Sequence, residues 1–252
     1  MSSPSGPILE IKDITKIYPG EGKSTTVLDH ISFDVYKEFM CIVGPSGGGK
    51  STLLRIVDGL DKPTSGQVLF HGQPVTSPSP KIGVVFQTFA LIPWKTVLGN
   101  VQMALSSTQI PQAEQYKIAE KYIQDVGLEG FESSYPKELS GGMKQRVGIA
   151  RALALQPEVL LMDEPFSSLD ALTAENLRSE VIDIWRDPAY PTGSVIMVTH
   201  NVQEAVEMAD RVIVLSARPA HIVDDVKIDL ERPRSPRDPT LYDLSDRIIS
   251  KI

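Results

Sequence analysis

The chain of 252 residues has little cysteine, no long apolar run and no excess of basic charge. Its one cysteine, Cys41, excludes an intramolecular disulfide framework and fits a reducing compartment. No stretch approaches the roughly 20 apolar residues needed to cross a bilayer. Residues 1–7, Met-Ser-Ser-Pro-Ser-Gly-Pro, lack the basic and apolar regions of a secretory signal. With 25 Lys and Arg against 32 Asp and Glu, the formal net charge is -7, which argues against a nucleic-acid partner gripped through a basic surface. There is no repeat of fixed period and no His/Cys cluster that suggests a transition metal. What remains, 41% hydrophobic and 23% charged, is ordinary for a soluble globular protein with a substantial core. If such a chain serves a membrane, it does so from the cytoplasmic side, docked to another subunit.

Apolar periodicity then divides the chain. Residues 8–14 and 27–35 alternate as strands do, and 39–43 is a continuous apolar run suited to a strand buried on both faces. A glycine-rich loop follows, and Leu53, Leu54, Val57 and Leu60 predict a helix over about 50–60. Residues 67–70 and 82–86 read as further strands. Residues 111–126 are polar, free of glycine and helical in rhythm. A second helix is expected over 142–155, with Met143, Val147, Ala150 and Leu153 on one face. Residues 159–162, 195–198 and 212–215 are short runs of buried-strand type, and 174–186 is helical between the first two. Strands alternating with helices argue for a parallel α/β core. The tail after Ala217 is rich in Pro, Arg and Asp and carries no pattern that places its structure.

Two motifs carry chemistry. Gly44-Pro45-Ser46-Gly47-Gly48-Gly49-Lys50-Ser51, continuing into Thr52, matches G-x-x-x-x-G-K-[ST] between a predicted strand and a predicted helix. Glycines let backbone N–H groups close around phosphate oxygens, and the helix N-terminus adds partial positive charge. Lys50 would reach the β- and γ-phosphates, and the Ser51 hydroxyl would hold Mg2+. The second motif is an apolar run ending in Asp163-Glu164. Neighbours on a strand point to opposite faces, so the two acids need not share a role. Asp163 suits the Mg2+ shell, and Glu164 is placed to orient and polarise the attacking water. A plain Gly-rich turn and a plain surface Asp-Glu are the bland alternatives, and their joint occurrence in this context argues against both.

Leu139-Ser140-Gly141-Gly142-Met143-Lys144-Gln145 resembles the signature of ABC-type ATPases, and the family's helix follows in 146–153. Tyr18, Gln87, Ser168-Leu169-Asp170 and His200 resemble the rest of that family's ordered set, along roughly 8–216. The resemblance implies a P-loop NTPase core of α/β class with a mixed, largely parallel sheet, an N-terminal antiparallel β subdomain and an α-helical subdomain at about 88–155. It sets residues 1–7 as a flexible tail, 8–216 as the ATPase domain and 217–252 as a C-terminal extension. It also implies ATP hydrolysis with Mg2+. Tyr18 would stack on adenine, while Gln87 would contact Mg2+ or the attacking water and report occupancy to a membrane subunit. His200 would bond the γ-phosphate and help fix the water, and Asp170 would brace the partner's site. Ser140, Gly141 and Gly142 would form a second anion cradle at a helix start. The family's solution is a head-to-tail pair of ATPase subunits, each ATP lying between one phosphate loop and the other signature.

Phe89, Leu91, Ile92 and Trp94 form an apolar group too large for a solvated loop. In ABC ATPases this region receives a coupling helix from the transmembrane permease subunit, a helix-in-groove contact. Pro93-Trp94, Ala217-Arg218-Pro219 and the run Asp229-Leu230-Glu231-Arg232-Pro233-Arg234 resemble the nitrate/sulfonate/taurine importer ATPases, whose solutes are small organic or inorganic anions, bicarbonate included. That resemblance implies an extracytoplasmic solute-binding protein and a peripheral place on the cytoplasmic face of the plasma membrane. An exporter or lipid-transport ATPase and a soluble, non-transport ABC ATPase are the competing readings. Residues 187–193 form a proline-rich connection longer than is usual in the family.

Overall fold

The computed structural model describes residues 6–20, 22–234 and 238–252; of the expected N-terminal tail, residues 1–5 lie outside the described residues. In chain order the elements are β1 (Leu9–Tyr18), β2 (Thr25–Val35), β3 (Phe39–Val43), α1 (Lys50–Val57), β4 (Ser65–Phe70), β5 (Gln73–Pro74) and β6 (Ile82–Val85). There follow α2 (Val97–Leu105), α3 (Gln112–Asp125), α4 (Gly141–Leu153), β7 (Val159–Asp163) and α5 (Ala171–Arg186). The chain closes with β8 (Ser194–Thr199), α6 (Val202–Met208), β9 (Arg211–Leu215), β10 (Ile222–Lys227) and α7 (Pro239–Ile249). Two compact units result: Met1–Ser79 with Ser194–Ile252, and Pro80–Gly193.

The first unit holds an antiparallel sheet in the order β2-β1-β4-β5. β1 runs on to Tyr18, past the predicted end, because a bulge between Ile11 and Ile14 resets its register against β2. Asp13 and His30 both take positive φ there, 55° and 53°. Ile14, Thr15 and Lys16 are all buried after it, so the period-two pattern that marks a strand is lost. In the same unit β3 pairs in parallel with β8 and with β9, which places Cys41 beside Met197 and Val212. All five β3 side chains are buried, as a continuous apolar run requires of a strand covered on both faces. Burial pushes the Cys41 thiol well up, in keeping with a packing role.

Two expectations change here. Helix α1 stops at Val57, not Leu60: Gly59 turns left-handed at φ 78°, and Leu60 is 58% exposed rather than part of the apolar stripe. A Cβ on Gly59 would stand 2.7 Å from the Ser77 backbone, so the turn depends on glycine. The tail, unplaced from sequence, forms β10, antiparallel on β9, and α7. Asp238 caps α7 by accepting from the Thr240 N–H, Pro239 occupies its first turn, and Leu241, Ser245 and Ile248 bury one stripe.

In the second unit β6 and β7 pair in parallel, and α2, α3 and α4 pack together. A bidentate pair from Arg146 to Glu180 ties α4 to α5, and Arg146 also bonds the Val126 carbonyl at 2.7 Å. The sequence pattern sets no bounds for helix α2, which lies in the stretch expected to be helical; Thr96 caps it by accepting from the Gly99 N–H. The proline-rich connection 187–193 is built into this unit, with the Thr192 hydroxyl donating to the Pro157 carbonyl at 3.0 Å and Tyr190 packed 5.9 Å from the Tyr122 ring. Among the described residues, no helix is long and apolar enough to cross a membrane.

Candidate active site

In the first unit the chain leaves β3 and turns through the glycine loop into α1. A Cβ on Gly44 would lie 2.8 Å from the Leu215 carbonyl oxygen, and one on Gly48 would lie 2.9 Å from that of Pro45. Gly49 stands at φ 97°, with Leu28 closing over it, so a side chain there would be both strained and crowded. Gly49 is the N-cap of α1 and offers no side-chain bond to the first-turn N–H groups. Those amides stand at the positive end of the helix dipole. Lys50 is only 4% exposed, and its ammonium donates to the Gly44 and Pro45 carbonyls at 2.8 and 2.9 Å. Ser51 and Thr52 sit half-buried on the first turn.

Tyr18 ends β1 and is 39% exposed. Its hydroxyl donates to Asp61 at 2.8 Å, and the Lys16 ammonium lies 4.8 Å from the ring centroid while bonding Asp61 at 2.7 Å. The bond from Lys16 holds the Asp61 carboxyl below the usual range. His200 is exposed where β8 ends. The turn after it is fixed on both sides: the buried Thr199 hydroxyl donates to Glu204 at 2.8 Å, and Asn201 caps α6 by accepting the Glu204 N–H.

In the second unit Gln87 lies just after β6, Asp163 ends β7 and Glu164 follows it. The Gln87 amide donates to the Glu164 carboxylate at 3.3 Å. Glu164 takes φ 44°, a left-handed conformation that a non-glycine residue adopts at a cost of order 1–3 kcal/mol. Ser167 braces this turn, its hydroxyl donating to the Glu164 carbonyl at 3.0 Å. Strain and bracing together aim the carboxylate.

The signature opens α4. Ser140 is its N-cap, accepting the Met143 N–H at 3.2 Å. A Cβ on Gly142 would meet Thr173 Cγ2 at 2.5 Å, so glycine is what lets the starts of α4 and α5 come together. Asp170 caps α5 by accepting the Thr173 N–H at 3.0 Å, and Thr173 holds its carboxyl below the usual range. The apolar segment is rigidly built. Phe89 and Ala90 both have positive φ, and the buried Arg151 guanidinium bonds both of their carbonyls. The fully buried Asn100 side chain accepts the Ile92 N–H and donates to the carbonyls of Ile92, Lys95 and Thr96. Within this frame Phe89, Leu91 and Ile92 are half-buried, while Trp94 is left 75% exposed.

Ser167, Arg151, Asn100, Thr199 and Glu204 were not foreseen as supports of the site. Arg151 between Ala150 and Ala152, and Asn100 beside Val101, were the available signal, since buried polar side chains need partners.

Residues 28–167 match the ABC transporter family. An uncharacterized ABC transporter ATP-binding protein of Methanocaldococcus jannaschii is 52% identical over 227 residues, 90% of this chain and 84% of its own length. The nitrate import ATP-binding protein NrtD of Synechocystis sp. is 46% identical over 252 residues, covering 96% of this chain and 94% of that protein. Among solved structures, the ATP-binding cassette MJ0796, dimeric in a post-hydrolysis state and bound to ADP and Pi, superposes with a TM-score of 0.75 at 32% identity. The match covers 88% of this chain and all of that one.

Proposed function

The chain belongs to the ABC transporter family as an ATP-hydrolysing subunit, and on that premise we propose that it powers import of a small anion of the nitrate type. The glycine turn into α1, with no room for a Cβ at Gly44, Gly48 or Gly49 and the Lys50 ammonium held on the Gly44 and Pro45 carbonyls, is the observation that carries the nucleotide reading. It is a cradle for phosphate oxygens. Residues 44–52 bind the phosphates, Lys50 supplies charge to the β- and γ-phosphates, and Tyr18 stacks on adenine. Hard oxygen donors on Ser51, Asp163 and Gln87 suit Mg2+, which when bound neutralises charge on the phosphate oxygens. Glu164 orients and polarises the attacking water, Gln87 holds the carboxylate that does so, and His200 bonds the γ-phosphate. Preorganised charge supplies most of the acceleration.

A second ATPase subunit pairs head to tail with this one. Ser140, Gly141 and Gly142, with Asp170 bracing, then serve the nucleotide on the partner's phosphate loop. Trp94, together with Phe89, Leu91 and Ile92, docks the permease at the cytoplasmic face of the membrane, and an extracytoplasmic solute-binding protein delivers the anion. Residues 8–216 form the ATPase domain, with its helical subdomain at about 88–155 and an extension from 217 onward. Glu164→Gln is the test: MgATP binding stays at the wild-type level while steady-state hydrolysis falls on the order of 100-fold or more. Normal turnover by that variant would remove Glu164 from the chemistry.

A further inference from the structure

The turn between β9 and β10 takes no part in the reaction as described, yet it wraps the phosphate loop. The Leu215 and Ser216 carbonyl oxygens stand 2.8 and 3.4 Å from where a Cβ would sit on Gly44 and Gly48. Ser216 and His221 lock the turn: the Ser216 N–H donates to the His221 carbonyl at 3.0 Å, and the Ser216 hydroxyl lies 2.9 Å from His221 Nδ1. On its other side the turn is stitched to β2, with the Ala220 N–H donating to the Val27 carbonyl at 3.0 Å and the Asp29 N–H to that of Ala220 at 2.9 Å. Val27 and Leu28 are also the residues that crowd Gly49. The loop thus sits in a collar made by β2 and the β9–β10 turn.

One side chain of the turn reaches onto the loop itself. Arg218 Nε donates to the Gly47 carbonyl, and Arg218 Nη2 stands 3.8 Å from the Cβ position of Gly47, a residue at φ 74°. At the other end of the same peptide group, the Gly48 N–H donates to the Pro45 carbonyl at 3.0 Å. The Gly47–Gly48 peptide is therefore pinned at both ends. It joins two glycines, which put no side chain in the way of a peptide flip, and a flip would turn the Gly47 carbonyl toward that of Pro45 and undo the loop's turn.

We propose that Arg218 is a positioning residue for the phosphate loop, holding the Gly47 carbonyl on the side of the β9–β10 turn so that the cradle is preformed for nucleotide. The proposal rests on the nucleotide reading above. It acts through Gly47 and does not require Arg218 to touch ATP. A preformed cradle spares the ordering cost of binding, so its loss falls on affinity and not on the chemical step.

The test uses the purified full chain and measures MgATP and MgADP affinity, KM, kcat and amide hydrogen exchange over 44–52 for wild type, Arg218→Ala and Arg218→Lys. Arg218→Ala weakens both nucleotides by about threefold to tenfold, as loss of one exposed charge-assisted hydrogen bond would. KM rises by the same factor, kcat at saturating ATP stays near wild type, and the loop exchanges faster at an unchanged melting temperature. Arg218→Lys keeps a cationic donor and recovers part of the loss. Wild-type affinity in Arg218→Ala, or a fall in kcat at constant KM, overturns the proposal. So does a lowered melting temperature with unaltered loop exchange. A wild-type chain that binds no MgATP would overturn the nucleotide reading along with it, and that outcome is visible in the wild-type arm alone.

Discussion

The chain starts two helices on glycine-rich turns and finishes them differently. At α1 the N-cap is Gly49, which bonds none of the first-turn amides through a side chain, and no acidic residue lies in that turn. At α4 the N-cap is Ser140, whose hydroxyl already takes the Met143 N–H. The first start has no side chain of its N-cap residue across it and a buried ammonium beside it. The second is partly closed by its own residue and stands finished as a structural element. That contrast fits a division of labour in which the phosphate loop binds nucleotide by itself, and the signature adds contacts to a nucleotide already bound.

Three experiments would sharpen or break the contrast. The largest effect is expected from Lys50→Met, which keeps the aliphatic stem and removes the charge. Hydrolysis should fall on the order of 100- to 1,000-fold in a steady-state assay, the range seen when a transition-state charge partner is lost. A variant with near-normal turnover would deny the loop its role.

Next comes Asp58, the C-cap of α1, whose carboxyl burial pushes up to about 6. The folded state binds this proton more tightly than the unfolded chain does, whose value is near 3.8. Stability is therefore gained as pH falls through about 6 toward 3.8, and is reduced above 6 where the buried carboxylate must ionise. Asp58→Asn should raise the melting temperature at pH 8, by up to roughly 3 kcal/mol in stability, and leave it nearly unchanged near pH 4. Equal melting shifts at both pH values would contradict that account. The smallest effect is Ser140→Ala, which removes a cap worth about 1 kcal/mol. Thermal melting should show that loss while MgATP affinity stays at the wild-type level, whereas a large loss of affinity would erase the distinction between the two helix starts.

How much of this was legible in the sequence depended on whether the deciding partner was near in the chain. β3, the phosphate loop and the apolar strand before Asp163 were readable because burial on both faces writes a continuous apolar run. The end of α1 was misplaced because a left-handed Gly59 and an exposed Leu60 mimic one more helical turn. β10 was invisible because its residues are exposed or half-exposed except Val226, and it exists by pairing with β9. At the site, Gln87 and Glu164 could be named from pattern, and the structure brings their side chains into contact. Arg151, Asn100 and Arg218 could not be assigned roles, since each acts on backbone carbonyls far along the chain or across a turn that only the fold supplies.

In the proposed head-to-tail pair the two helix starts serve one ATP from two ATPase subunits, which two copies of this chain can represent. Mixing Lys50→Met with Ser140→Arg tests it most directly, because each variant spoils one start and leaves the other whole. Head-to-tail pairing predicts that the mixture hydrolyses ATP at a rate neither variant reaches alone, since a sound loop then meets a sound signature. A mixture as inactive as its parts, beside a wild-type chain whose activity is strictly proportional to its concentration, would contradict the claim.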